Sequence, residues 1–298
     1  LVFLSGRPHG QGKGLLWTCT RASVTKRFGG LVNLGRNVNG GTQDGAPALS
    51  ADGLTLLFGS PRPGGAGNAD IWLSTRPSMS EPFGPPVNLG PNVNSSALDW
   101  SPALSADGLA LLFSSDRGGG EGGLDLWMCT RRSVNEPFDK PVNLGPNVNT
   151  GANEAAPALS AEGLTLLFNS DRPGGQGGTD LWMARAERPG AAGSASATLR
   201  ATLGDFPKPV TTMAFGPEGR KLTSNGNGKG MLAVWDVIEG EQIVSKRAHD
   251  EFVMCVAFAG NGNQVAAGTY RRATVWTLNS GDTILLWDVK IAPGKKKR

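Results

Sequence analysis

Three acids stand at one spacing along the chain: Asp44, Asp99 and Glu154, each three residues before a proline and 55 residues from the next. Hydrolysis by paired carboxyls needs two such groups within about 10 Å. Acids on successive repeats can meet that condition only where the repeats converge on a common channel. A second set recurs with the same period. Arg7, Arg62, Arg117 and Arg172 each open a Gly-rich stretch, and Asp70, Asp125 and Asp180 close three of them. A further acid precedes the arginine as Asp116 and Asp171. Carboxylates and loop carbonyls are hard oxygen ligands of the kind calcium takes, but calcium wants six to eight of them, and an arginine sits among these. The expected use is therefore structural: Arg62 with Asp70, Arg117 with Asp125 and Arg172 with Asp180, each pair pinning a glycine loop, with no metal.

Nucleophilic chemistry is poorly provided for. The two histidines, His9 and His249, lie in unrelated places, which leaves no base for a Ser-His-Asp or Cys-His arrangement and too few ligands for zinc. Cys19 and Cys129 are 110 residues apart, and Ser74 and Ala184 fill the same slot in the other repeats. A slot that accepts Cys, Ser and Ala asks for a small packed side chain. Cys255 sits in an apolar run. No cofactor is expected, and no catalysis. What remains is recognition, and its candidates are the residues with least repeat duty: Trp100 (Gly45 and Ala155 occupy its slot), His9, Tyr270, Arg271 and Arg272. Aromatic and arginine side chains are favoured interface anchors.

The elements that must position these residues follow from the repeats. Ala46–Leu54 returns as Ser101–Leu109 and Ala156–Leu164; Phe3, Phe58, Phe113 and Phe168 recur, as do Trp17, Trp72, Trp127 and Trp182. Val-Asn-Leu-Gly recurs from Val32, Val87 and Val142. Each unit reads as four short strands. In the second they are Pro47–Ser50, a hairpin through Asp52-Gly53, Leu54–Ser60, Asp70–Ser74 and Pro86–Leu89. The 44 glycines and 20 prolines in 298 residues supply the turns. Radial four-stranded units whose Phe and Trp cover one another describe a β-propeller, an all-β fold with almost no helix. After Trp182 the period shortens. Phe258 lies 43 residues beyond Phe215, and Trp276 lies 41 beyond Trp235. The count predicts six blades, the first lacking its innermost strand. Residues 1–203 make the long repeats, 204–289 two short ones and 290–298 a basic tail.

Charge narrows the partners. The net charge of +4 is that of Lys295, Lys296, Lys297 and Arg298 alone, so the body offers no basic face for nucleic acid. No apolar run approaches the roughly 18 residues of a membrane helix. The chain begins at Leu1 inside an apolar run, and a further domain is expected upstream.

These motifs resemble known families. Pro-x-x-Ser-x-Asp-Gly, Ser-x-Arg-x-Gly-Gly and Asp-x-Trp, as in Pro102–Gly108, Ser115–Gly119 and Asp125–Trp127, are similar to the bacterial WD-like repeats of TolB-type propellers. Residues 204–289 resemble two WD-repeat blades, with Trp235-Asp236 as the dipeptide and Ala248-His249 where that family has Gly-His; Asn225–Lys229 lacks its turn aspartate. The resemblance implies a structural role for His249. It also implies a module of a larger bacterial protein, receptor-like serine/threonine kinases among them, that binds a protein or peptide as sensor or scaffold. Two alternatives stand beside it: a propeller hydrolase or lyase with a metal or carboxylates in its channel, and a TolB-like envelope component.

Overall fold

The structure is a computed structural model that describes residues 2–5, 15–20, 29–40, 43–175, 178–186, 197–202, 210, 212–216, 220–225, 230–237, 241–247, 249–250, 252–258, 262–269, 273–278 and 284–288. Strands β1 (Val2–Ser5), β2 (Leu15–Thr20) and β3 (Gly29–Asn33) form one antiparallel sheet; the four-residue α1 (Gly35–Val38) follows, the sole helix among the described residues. Strands then come four to a sheet. The second sheet is β4 (Gly45–Leu49), β5 (Thr55–Ser60), β6 (Asp70–Thr75) and β7 (Val87–Asn88). The third is β8 (Asp99–Leu104), β9 (Ala110–Ser115), β10 (Asp125–Thr130) and β11 (Val142–Asn143). The fourth is β12 (Glu154–Leu159), β13 (Thr165–Ser170), β14 (Asp180–Ala186) and β15 (Ala197–Thr202). The shorter repeats give β16 (Met213–Phe215), β17 (Lys221–Asn225), β18 (Met231–Asp236) and β19 (Glu241–Arg247), then β20 (Cys255–Phe258), β21 (Gln264–Gly268), β22 (Ala273–Leu278) and β23 (Ile284–Asp288).

The first strands of the four-stranded sheets lie side by side, β4 on β8, β8 on β12, β12 on β16 and β16 on β20, and β1 touches β4, β20 and β21. This is a β-propeller of antiparallel blades. The described strands make five complete blades, so a count of six requires the three-stranded sheet β1–β3 to serve as one.

Local sequence dictates the blade. The Leu-Ser-Ala-Asp-Gly wording is a turn lock: Ser50 Oγ donates to Asp52 Oδ1 at 2.5 Å and accepts Thr55 N at 2.9 Å, and Asp52 Oδ1 also accepts Leu54 N. Ser105 and Asp107 repeat it. These bonds, the serine's above all, hold the carboxyls of Asp52 and Asp107 below the usual carboxylate range. Each innermost strand of the long repeats carries a bulge, at Ala46-Pro47, Ser101-Pro102 and Ala156-Pro157, where the ladder skips. Proline has no N–H to give, and the bulge is where a strand can spare one. The preceding residues take φ of 48°, 52° and 50°, a left-handed conformation that costs a non-glycine residue of order 1 kcal/mol.

Phe58 faces Trp72 across β5 and β6, as Phe113 faces Trp127 and Phe168 faces Trp182. Cross-strand partners share a face, and this face covers the alternate residues of the preceding blade: Phe113 and Trp127 pack with Leu57 and Ile71. Phe58, Phe113 and Phe168 are fully buried, worth roughly 1.5–3 kcal/mol each.

Candidate functional site

Arg62, Arg117 and Arg172 each follow the second strand of a blade by two residues. Each guanidinium lies between two rings. Arg62 Cζ is 4.7 Å from the centre of Phe58 and 5.2 Å from that of Trp72; Arg117 and Arg172 repeat this over Phe113 and Trp127 and over Phe168 and Trp182. That is cation–π spacing. Each Nε donates to the serine ending its strand, Ser60 at 2.9 Å, Ser115 at 3.0 Å and Ser170 at 3.1 Å. Each Nη2 donates to the carbonyl of Val38, Val93 or Val148 and reaches an acid. That acid is Asp44 at 2.7 Å, Asp99, and Glu154 at 3.0 Å. The acids' side chains are fully buried.

The expected pairs Arg62–Asp70, Arg117–Asp125 and Arg172–Asp180 are thereby corrected. The aspartates that open the third strands serve the glycine loops instead. Asp70 accepts the backbone N–H of Ala66 at 2.6 Å and Gly67 at 3.1 Å, and Asn88 Nδ2 at 2.7 Å; Asp125 accepts Glu121 N at 2.6 Å and Asn143 Nδ2 at 3.0 Å. The loop closes so tightly that a Cβ at Gly120 would fall 1.8 Å from Asp125 Oδ2. Backbone N–H groups thus occupy these carboxylates, and the arginines turn to the acid on the innermost strand. The loop acids Asp116 and Asp171 tie down the connection between blades: Asp116 accepts Leu98 N at 2.7 Å, and Asp171 accepts Asn153 N at 2.7 Å and Asn153 Nδ2 at 2.9 Å. The backbone bond first, then the amide, holds the Asp171 carboxyl low.

Sequence reasoning missed a third polar set. Asn94 bridges a strand with its amide, Oδ1 accepting Ile71 N at 2.9 Å and Nδ2 donating to Ile71 O at 3.0 Å. Asn39 does the same at Leu16, and Asn149 at Leu126. The signal was present. The repeated Val-Asn-Leu-Gly continues to a further Val-Asn, and these asparagines end it at Asn39, Asn94 and Asn149.

Trp100 is half-buried on β8, its ring lying over the preceding blade. A Cβ at Gly59 would sit 2.3 Å from Trp100 Cε3, and one at Gly45 would sit 3.0 Å from Cζ2. Two glycines make room for its indole, so Trp100 packs on the preceding blade while keeping part of its surface exposed. His9, Arg7, Tyr270, Arg271, Arg272 and the tail residues 290–298 lie outside the described residues. His249 is buried, 2.7 Å from Thr274 Oγ1 through Nε2 and edge-on to Trp276 at 6.0 Å. Cys19 and Cys129 are buried, and burial pushes the Cys129 thiol up to about 12. Among the described residues no three His, Cys, Asp or Glu side chains gather as metal ligands, and no helix is long and apolar enough to cross a membrane.

Fold and site together define a β-propeller whose blades are fastened by buried polar contacts. Solved structures agree on the fold. TolB from Acinetobacter baumannii is similar with a TM-score of 0.60 and 14% identity, over 96% of this chain and 62% of that one. A chain of the mitotic checkpoint complex is similar with a TM-score of 0.51 and 17% identity, over 80% of this chain and 61% of that one. The protein thus spans less than two thirds of either. No family model matches the sequence, and neither does any curated protein.

Proposed function

We propose that the chain is a non-catalytic binding propeller that presents its loops and channel rim to a protein or peptide partner, as a sensor or scaffold module of a larger bacterial protein. The observation that carries this reading is the fate of the reactive groups. Asp44, Asp99 and Glu154, the acids best spaced for chemistry, are buried against Arg62, Arg117 and Arg172. A carboxylate with no exposed surface, its oxygen held by a guanidinium, is closed to water and to substrate. What this lattice supplies is rigidity, and a preorganised surface binds with less ordering cost. Trp100 is the candidate anchor within the described residues. Contacts of β1 with β4 on one side and with β20 and β21 on the other support a six-bladed ring, the β1–β3 sheet being the first blade.

The TolB likeness, which covers 96% of the chain, favours an envelope component as the second reading. A module of a receptor-like kinase draws its support from the wording of the repeats alone. Attachment to an upstream domain belongs to the same proposal.

The test is capture by the immobilised chain of a defined partner taken from its own operon or fusion, with and without Trp100→Ala. Weakened capture at a temperature where the variant is still fully folded supports the reading, and undiminished capture by the folded variant counts against Trp100 as the anchor. Turnover of a sugar, lactone or peptide substrate by the purified chain, abolished by Asp99→Asn, overturns it in favour of a hydrolase or lyase.

A further inference from the structure

Phe83 and Phe138 occupy one repeat slot, 55 residues apart, between the third and fourth strands of their blades. Phe83 packs with Leu16, Leu56 and Trp72 where the first sheet meets the second; Phe138 packs with Leu57, Leu111 and Trp127 where the second meets the third. Each ring is capped by a guanidinium, Arg76 at 4.5 Å and Arg131 at 4.4 Å. The Nε of that arginine donates to a hairpin carbonyl, Gly53 O or Gly108 O.

The next junction, between the third and fourth blades, rebuilds the Phe138 cluster. Leu112 stands for Leu57, Val148 for Val93, Leu166 for Leu111 and Trp182 for Trp127. The plug is gone. Position 193 is glycine where the ring would be, position 186 is alanine where the arginine would be, and Ala184 replaces Cys129. Residues 187–196 lie outside the described residues, and their sequence contains no aromatic side chain. At this junction the structure holds a cavity of about 580 Å³ lined by Leu112, Met128, Leu144, Leu159, Leu166 and Ala184. Leu166 is 8% exposed, whereas Leu56 and Leu111 in the same slot are at 0%. The rim carries the Asp107 carboxylate and, beside it, Gly163 next to the exposed Glu162. Among the described residues no guanidinium meets the Gly163 carbonyl, the counterpart of Gly53 O and Gly108 O.

We propose that this crevice binds a phenylalanine side chain of a partner polypeptide that carries an arginine close to it. These are the two groups that Phe138 and Arg131 supply at the neighbouring junction. The inference deepens the reading of the chain as a peptide-binding propeller and rests on it. The volume falls in the range of ligand pockets and exceeds one ring, so part of the flanking chain enters too. Both Asp107 and Arg131 line the crevice, and Arg131 keeps its charge while donating to Gly108 O and Val134 O; the occupant's arginine is addressed to the Gly163 carbonyl, as Arg131 is to Gly108 O.

The experiment uses the full chain labelled at its methionine methyls and a capped hexapeptide with one arginine and one phenylalanine among serines and glycines. The Met128 methyl should shift saturably with the ring, while the methyl of exposed Met79 should not. Replacing the peptide's phenylalanine by alanine should abolish the shift, and replacing its arginine by serine should weaken binding about tenfold, one cation's share at a rim. Ala184→Phe should fill the crevice and remove the response; should that variant fail to fold, Ala184→Met is the milder plug. A response that survives a folded plug variant, or that is the same for the alanine peptide, overturns the proposal. No Met128 response alongside intact Trp100-dependent capture defeats the crevice alone, and loss of both defeats the binding reading beneath it.

Discussion

The long repeats and the short ones build the same four-stranded blade and fasten it differently. Between Asp44 and Arg172 the blades share a polar lattice in which arginine side chains with 6–13% exposure meet acids with none. Among the described residues of the short repeats the ion pairs are more open: Arg220, 2.7 Å from the buried Asp236, has a side chain 53% exposed, and the Arg247–Asp250 pair is more open still. There His249 meets Thr274 inside the core, and the packing is valine-rich around Trp276. A blade of this shape therefore also forms around an ion pair whose arginine is open to solvent. A buried pair adds little over an apolar replacement, but it is expensive to break, because the survivor stays desolvated and unpaired.

The largest expected effect tests that asymmetry. Asp99→Ala should cost about 3–5 kcal/mol by urea unfolding and Arg220→Ala about 0–1 kcal/mol. The double replacement Asp99→Leu with Arg117→Met should cost less than Asp99→Ala alone; a larger, additive loss would break the comparison. Next comes the asparagine bridge of the long repeats. Asn94→Ala strands the buried N–H and C=O of Ile71 and should cost about 2–3 kcal/mol, read from the same unfolding curves. Gly59→Ala drives a methyl into Trp100 and should cost about 1–3 kcal/mol. In the Trp100→Ala background that loss should largely vanish, and a double-mutant cycle showing additivity would mean that the indole does not rest there. The smallest effect is a pH dependence. Hydrogen bonds hold the Asp171 carboxyl below its unfolded value, so its contribution is present above the ordinary carboxylate pKa of about 3.9 and fades as pH falls through the folded one. Asp171→Asn should remove that dependence, under about 1 kcal/mol for so exposed a group, in stability measured between about pH 5 and pH 2.5.

The period of 55 carried much of the fold by itself. Phe58, Phe113 and Phe168 opposite Trp72, Trp127 and Trp182 need only strand alternation and a hairpin to be placed, and both are local. The Asp-Gly turns locate the hairpins for the same reason. The propeller class, the small packed slot of Cys19 and Cys129, and the buried setting of His249 were legible from such patterns. Partner choice was not. Arg62 stands 8 residues from Asp70 and 18 from Asp44, yet the nearer acid is taken by the loop's own N–H groups. Short-range backbone donors outcompete a long side chain, because they pay no rotamer entropy, and no spacing along the chain reveals that. Only the assembled blades could show Trp100 resting on Gly59, the asparagine amides bridging a strand, or a crevice beside Leu112 and Leu166. Each depends on which surfaces a neighbouring blade brings into contact, and the radial packing decides that.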